Sequence, residues 1–167
     1  QMNHDSTFFF FFTKRSTEGL GTIGGKVGDE STWGFVGHYC QAVASGIPHG
    51  IVNYRPWSRG KDLTWDVESE RWEEGIEEVE KSRLPGQKFI HVCDREADQF
   101  ELLKFLEERS FDYVIRSSHD RIVQGGNYYL SWHLKKMSPK YGFKIYHSKS
   151  KQYVDASVKY GEVEIEN

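Results

Sequence analysis

Cysteine is scarce in this 167-residue chain: Cys40 and Cys93 stand alone, each inside an apolar, strand-like run. Two isolated thiols argue against a disulfide framework or a zinc-ribbon pattern and read as buried free thiols in a reducing compartment. Long apolar runs are missing as well, since none approaches the roughly 20 residues a membrane helix needs. The run from Phe8 to Phe12 is too short for a signal peptide and has neither a basic leader nor a cleavage site. No internal repeat is present. Net charge is only −3, so the total does not advertise a nucleic-acid binder, although a small sum can hide a patch.

What is present is a chain fit to fold as a domain. Hydrophobic residues make up 37% and aromatics 15%, enough to argue for a packed core rather than disorder. The charge is segregated. Lys135, Lys136, Lys140, Lys144, Lys149 and Lys151 occur with no acidic residue among them, while "ESERWEEGIEEVEK" (68 to 81) concentrates the negative charge. The lysine stretch reads first as a solvated face and second as a phosphate-contacting one.

Along the chain, "MNHDSTFFFFF" reads as a strand, buried on both faces because the Phe run is unbroken. "STEGLGTIGGKVGDES" reads as a glycine-rich flexible loop. Its Gly19-x-Gly21-x-x-Gly24 matches a dinucleotide fingerprint only formally, because the glycines run on toward a strand instead of opening a helix. Residues 32–44 and 48–57 read as two more strands of an antiparallel meander, turning near Ser45-Gly46. Trp72, Ile76 and Val79 follow helical spacing with glutamates opposite, and Leu84-Pro85-Gly86 ends that helix. A strand at 88–93, a helix at 95–109 with Ala97, Phe100, Leu103 and Leu106 on its apolar stripe, and a strand at 111–117 come next. After "HDRIVQGGN" the rhythm changes to short antiparallel strands. The order is β-β-β-α-β-α-β followed by more β: an α/β mixed sheet carrying helices, with 1–121 as the core and 122–167 as the start of a separate β-rich element.

Two carboxylates stand out. Asp94 ends the most apolar strand, where open α/β sheets place ligands, and Asp5 lies in the first strand beside His4. If those strands are neighbours the carboxylates converge, and their repulsion favours a divalent cation between them. Hard oxygen donors suit Mg²⁺, and two such ions about 3.5–4 Å apart can drive phosphodiester chemistry. The plainer alternative is that Asp94 caps the following helix, with Glu96 and Asp98 complementing its dipole. His38 and His91 read as core histidines, and Trp57, Trp65 and Trp72 as packing residues.

The stretch "VCDREADQFELLKFLEERSFDYVIRSSHDR" (92 to 121) resembles the signature of bacterial insertion-sequence DDE transposases, specifically the IS-four/Tn-five-like branch with its D-R-E-A-D motif. "HDST" (4 to 7), the Gly-rich loop, "WGFVGH", Arg55-Pro56 and "ESERW" are similar to family features in the same order. The likeness is close over about residues 3 to 121 and loose over 128 to 167, where it implies the beginning of the β-rich insertion that interrupts this family's catalytic fold. It implies a ribonuclease H-like fold, with Asp5 and Asp94 as the first two catalytic, metal-binding carboxylates of a two-metal Mg²⁺ or Mn²⁺ site. It implies metal-dependent DNA strand cleavage and strand transfer on double-stranded DNA, as a homodimer on DNA in the full-length protein, in the bacterial cytoplasm at the nucleoid. Arg116 falls on the family arginine that contacts transposon-end DNA, Arg95 on a phosphate-neutralising position, and His119 and Arg121 close the same DNA-binding stretch. Ser118 stands where relatives often carry lysine.

The resemblance also implies a departure. The family's third carboxylate lies in a Y-x₂-R-x₃-E-x₆-K motif that does not occur here, so the expectation is a catalytic-core fragment inactive by itself. Glu96 or Asp98 could take a metal position, though helix geometry turns Asp98 toward a surface or supporting role. A ribonuclease H-like nuclease or resolvase, and a non-enzymatic DNA-binding remnant in which Asp94 only caps, are the alternatives.

Overall fold

The computed structural model describes residues 1–11, 18–27, 30–58, 65–123 and 128–165. Phe12, the loop residues Ser16, Thr17, Gly28 and Asp29, and the "QGGN" of 124–127 lie outside them. The chain divides into two compact units, Gln1–Ser118 and His119–Asn167. The first is a mixed α/β unit. Strands β1 (Met2–Phe10), β2 (Gly21–Val27), β3 (Glu30–Ala44) and β4 (Ile47–Trp57) precede helix α1 (Trp65–Lys81). Strand β5 (Ile90–Cys93), a 3₁₀ turn (Arg95–Ala97), helix α2 (Phe100–Glu108) and strand β6 (Asp112–Ile115) follow. The sheet runs β2-β3-β1-β5-β6, with β4 also paired to β3. Pairing is antiparallel from β4 through β3 to β1, and parallel from β1 to β5 to β6.

The β3–β4 hairpin forms where the turn residues permit it: Ser45 and Gly46 both take positive φ, 52° and 77°, the geometry of a tight hairpin turn. Helix α1 buries Trp72, Ile76 and Val79, the stripe its spacing predicts. These side chains meet one face of the sheet, where alternation along β1 places Met2 and His4, along β3 His38 and Cys40, and along β5 His91 and Cys93. Leu102 and Leu106 of α2 join Trp72, Ile76 and Cys93 in the same core. Both helices therefore pack on one face. Gly75, inside α1, is where the helix comes closest to His38: a Cβ there would stand 3.3 Å from the imidazole. Cys40 and Cys93 are free and buried, and burial pushes both thiols up to about 12.

Four expectations need correction. The Phe run is not buried on both faces: Phe9 and Phe10 remain 39% and 46% exposed and the rings stack along the surface instead, Phe9 on Phe35 at 4.6 Å. The glycine-rich segment is not simply a loop, since Gly21–Val27 forms β2 against β3. Gly34 of β3 sits between β1 and β2, where a Cβ would run into the Phe9 carbonyl oxygen on one side and the Ile23 side chain on the other. The helix expected at 95–109 is broken into a 3₁₀ turn and α2, which shifts the buried stripe from Leu103 to Leu102 while keeping Leu106. The tail is not all strand, because Leu130–Lys136 forms helix α3.

The second unit holds strands β7 (Ile122–Val123) and β8 (Tyr128–Tyr129), α3, and the hairpin β9 (Tyr141–His147) and β10 (Gln152–Val158). Asp120 organises the start of α3, accepting from the Ser131 amide at 2.8 Å and its hydroxyl at 2.7 Å. Among the described residues no helix is long and apolar enough to cross a membrane.

Candidate functional site

The parallel ladder of β1 and β5 sets Met2 beside His91, Asn3 beside Val92 and His4 beside Cys93. One residue beyond that last registered pair stand Asp5, still within β1, and Asp94, just past β5 with its backbone extended (φ −81°, ψ −169°). The same step on β6 is Arg116: Cys93 pairs with Ile115, and the Arg116 amide donates to the Cys93 carbonyl at 3.2 Å. In the other direction Asp5 pairs with Tyr39 of β3, which pairs with Tyr54 of β4. The result is a row of Tyr54, Tyr39 and Asp5 in register across β4, β3 and β1, with Asp94 and Arg116 each one residue past the ends of β5 and β6. Because His4 and Cys93 point under the helices, strand alternation turns Asp5 and Asp94 to the opposite face. Asp5 is exposed and Asp94 half-buried.

Adjacent strands lie roughly 5 Å apart, so carboxylates carried on neighbouring strands can come within reach of one bridging cation. Their hydrogen bonds hold them rather than neutralise them. Oδ1 of Asp5 accepts from the Ser6 amide at 2.8 Å and Oδ2 from the Tyr39 phenol at 3.1 Å. Oδ1 of Asp94 accepts from the Glu96 amide at 2.8 Å. Asp94 is thus a cap, though of the 3₁₀ turn and not of α2, whose own cap position is Gln99. Carboxylate oxygens are hard donors, the type that Mg²⁺ takes. Among the described residues no cluster of three or more acidic, His or Cys side chains forms a complete metal cage.

The sequence-nominated residues divide between the units. Asp5 lies in the row, Asp94 and Arg116 stand just past the ends of β5 and β6, and Arg95 projects from the exposed 3₁₀ turn immediately after Asp94. His119 and Arg121 belong to the second unit, where His119 is exposed and the Arg121 carbonyl accepts from Leu130 at 2.8 Å. Asp98 is not a surface group. It is 3% exposed and accepts from the Ser117 hydroxyl at 3.2 Å and from the Ser118 amide at 2.5 Å. Ser118 also donates to the Arg95 carbonyl at 3.2 Å. Asp98 therefore ties the chain after β6 to the turn after β5, which keeps Arg116 next to Asp94.

Beneath the row, on the helix side, lies a chain of buried polar groups that sequence spacing did not suggest. His4 Nε2 and His91 Nδ1 are 2.9 Å apart, and His91 Nε2 lies 3.0 Å from Glu80 Oε1. A carboxylate can only accept, so His91 donates from Nε2 and accepts at Nδ1 from His4. His38 Nδ1 pairs with the Ser6 hydroxyl at 3.1 Å. Burial, reinforced by His91 and His38, depresses His4 to about 2; burial depresses His38 to about 4 against the pull of Asp5. Burial also lowers His91, opposed by Glu80. Tyr39 was missed for a related reason: its face and its partner depend on the β1–β3 register, which no local motif encodes. No family model and no curated protein matches the chain.

Proposed function

We propose that this chain is part of the catalytic core of a metal-dependent DNA transposase of the DDE class, with Asp5 and Asp94 as its first two acidic residues. The observation that carries this reading is that β1 and β5 pair in parallel with His4 beside Cys93, the residues immediately before the two carboxylates. The strand order, an antiparallel group joined through β1 to the parallel pair β5 and β6, supports a ribonuclease H-like arrangement. The D-R-E-A-D stretch at the end of β5 supports it independently.

In this reading Asp5 and Asp94 hold Mg²⁺ or Mn²⁺, which when bound activates a water or a DNA 3′-hydroxyl for attack on a phosphodiester. The chain's own groups do the rest. The Glu96 amide fixes the Asp94 carboxylate, Asp98 holds the turn that carries Arg95, and Arg116 offers a cation one strand away for a DNA phosphate. His119, Arg121 and the lysines of the second unit supply further phosphate contacts. The family's third-carboxylate motif does not occur in these residues, so the chain binds duplex DNA without cutting it.

The test is binding of a fluorescent DNA duplex at low salt, with Mn²⁺ or with EDTA, alongside a supercoiled-plasmid nicking assay. Mn²⁺ tightens DNA binding in the wild-type chain, the gain disappears in Asp94→Asn, and the plasmid stays intact. A chain that fails to bind duplex DNA even at about 50 mM salt, where phosphate contacts are strong, contradicts the reading. Robust Asp94-dependent nicking contradicts the inactivity.

A further inference from the structure

An exposed aspartate on a strand ordinarily rotates freely about its last bond, because the carboxylate torsion is broad and roughly two-fold. Asp5 does not have that freedom. Each of its oxygens receives one donor, the Ser6 amide on Oδ1 and the Tyr39 phenol on Oδ2. Tyr39 stands directly opposite Asp5 in the antiparallel ladder, so its phenol approaches from the β3 side and leaves the β5 side to Asp94. The phenol is itself held. The Thr7 hydroxyl, two residues along the same face of β1, is also hydrogen-bonded to it; because the phenol's one proton goes to Asp5, Thr7 donates to the phenol oxygen.

The consecutive residues Asp5-Ser6-Thr7 thus form one device. Ser6 gives its amide to Asp5 while its hydroxyl pairs with His38, its register partner on the helix-covered face, and Thr7, back on the other face, hydrogen-bonds Tyr39. Burial and the Asp5 charge raise the Tyr39 phenol above its ordinary value, so it remains a donor throughout the neutral range.

We propose that Tyr39, backed by Thr7, is a positioning residue that sets the plane of the Asp5 carboxylate so that it and Asp94 present oxygens to one shared divalent cation. This inference rests on the cation-binding reading above. The partner hydrogen-bonded to a metal-binding carboxylate ordinarily accounts for about 10–100-fold in metal affinity. The Tyr39 bond is solvent-exposed, which places it at the lower end of that range.

The experiment titrates Mn²⁺ alone into the wild-type chain, Tyr39→Phe and Thr7→Val, reading bound Mn²⁺ by water-proton relaxation, and records each melting midpoint in EDTA. Tyr39→Phe weakens Mn²⁺ binding about tenfold. Thr7→Val weakens it in the same direction by less, and both metal-free midpoints stay within about 2 °C of wild type. Wild-type affinity in Tyr39→Phe overturns the positioning role and leaves the cation reading standing. A loss of affinity matched by a fallen metal-free midpoint assigns Tyr39 to the fold and also overturns the role. A wild-type chain that takes up no Mn²⁺ overturns the cation reading itself, and this role with it.

Discussion

Asp94 combines the two roles that its position in the sequence leaves open. It caps the 3₁₀ turn through Oδ1 and presents its carboxylate at the sheet edge, because the extended backbone before the turn fixes where it stands. The sequence around it made this much readable. The role of Asp98 was not readable, because its burial depends on Ser117 and Ser118, some twenty residues away at the end of another strand. The histidines show the same limit. Their burial followed from strand alternation, but the His4–His91–Glu80 chain needs β1, β5 and α1 in place. It carries a pH dependence. His4 and His38 have folded values of about 2 and 4 against 6.5 unfolded, so the unfolded chain binds protons first as pH falls. The stability they contribute is complete above pH 6.5 and is lost progressively below it, on the order of 2 kcal/mol for each by pH 5. Urea denaturation at pH 7.5 and pH 5 should show that loss, and His38→Phe should reduce it. A midpoint independent of pH across this window would show the imidazoles are not buried neutral.

Helix α1 and the turn between β3 and β4 were readable because local chemistry decides them: a 3.6-residue apolar period in one, a Ser-Gly pair able to take positive φ in the other. Helix α2 was misphased. The 3₁₀ turn at Arg95–Ala97 and the break at Asp98-Gln99 restart the helix at Phe100, so counting from Ala97 carries the stripe onto Leu103, whereas Leu102 is the residue that is 1% exposed. The two leucines therefore separate the structures. Leu102→Ala should cost about 2–5 kcal/mol, as expected for a fully buried leucine, and the half-buried Leu103→Ala clearly less. Chemical denaturation of both variants decides it, and the reverse order would restore the continuous helix. The Phe run failed as a core signal for a similar reason. Composition marks it as apolar, but only packing decides which part of a long strand the helices cover, and here they cover Met2 and His4.

At the scale of the whole molecule, what the sequence leaves implicit is adjacency. Asp5 and Asp94 are separated by most of the first unit, and only the insertion of β1 between β3 and β5 sets their strands side by side. The same sheet order delivers Tyr39 to one side of Asp5 and Arg116 to the strand beyond β5. If Arg116 contacts a DNA phosphate, Arg116→Ala should weaken duplex binding similarly for unrelated sequences and lower the slope of log affinity against log salt by about one. An unchanged slope would remove Arg116 from the DNA surface. The central claim is that Asp5 and Asp94 serve a single shared cation, and a double-mutant cycle on Mn²⁺ affinity tests it most directly. Asp5→Asn and Asp94→Asn should each reduce Mn²⁺ affinity at least about tenfold, while the double variant loses little more than either single one, as groups acting as a unit do. Asp94→Asn should leave the melting midpoint nearly unchanged, because Asn still caps. Wild-type Mn²⁺ affinity in either single variant, or losses that simply add in the double, would contradict the account.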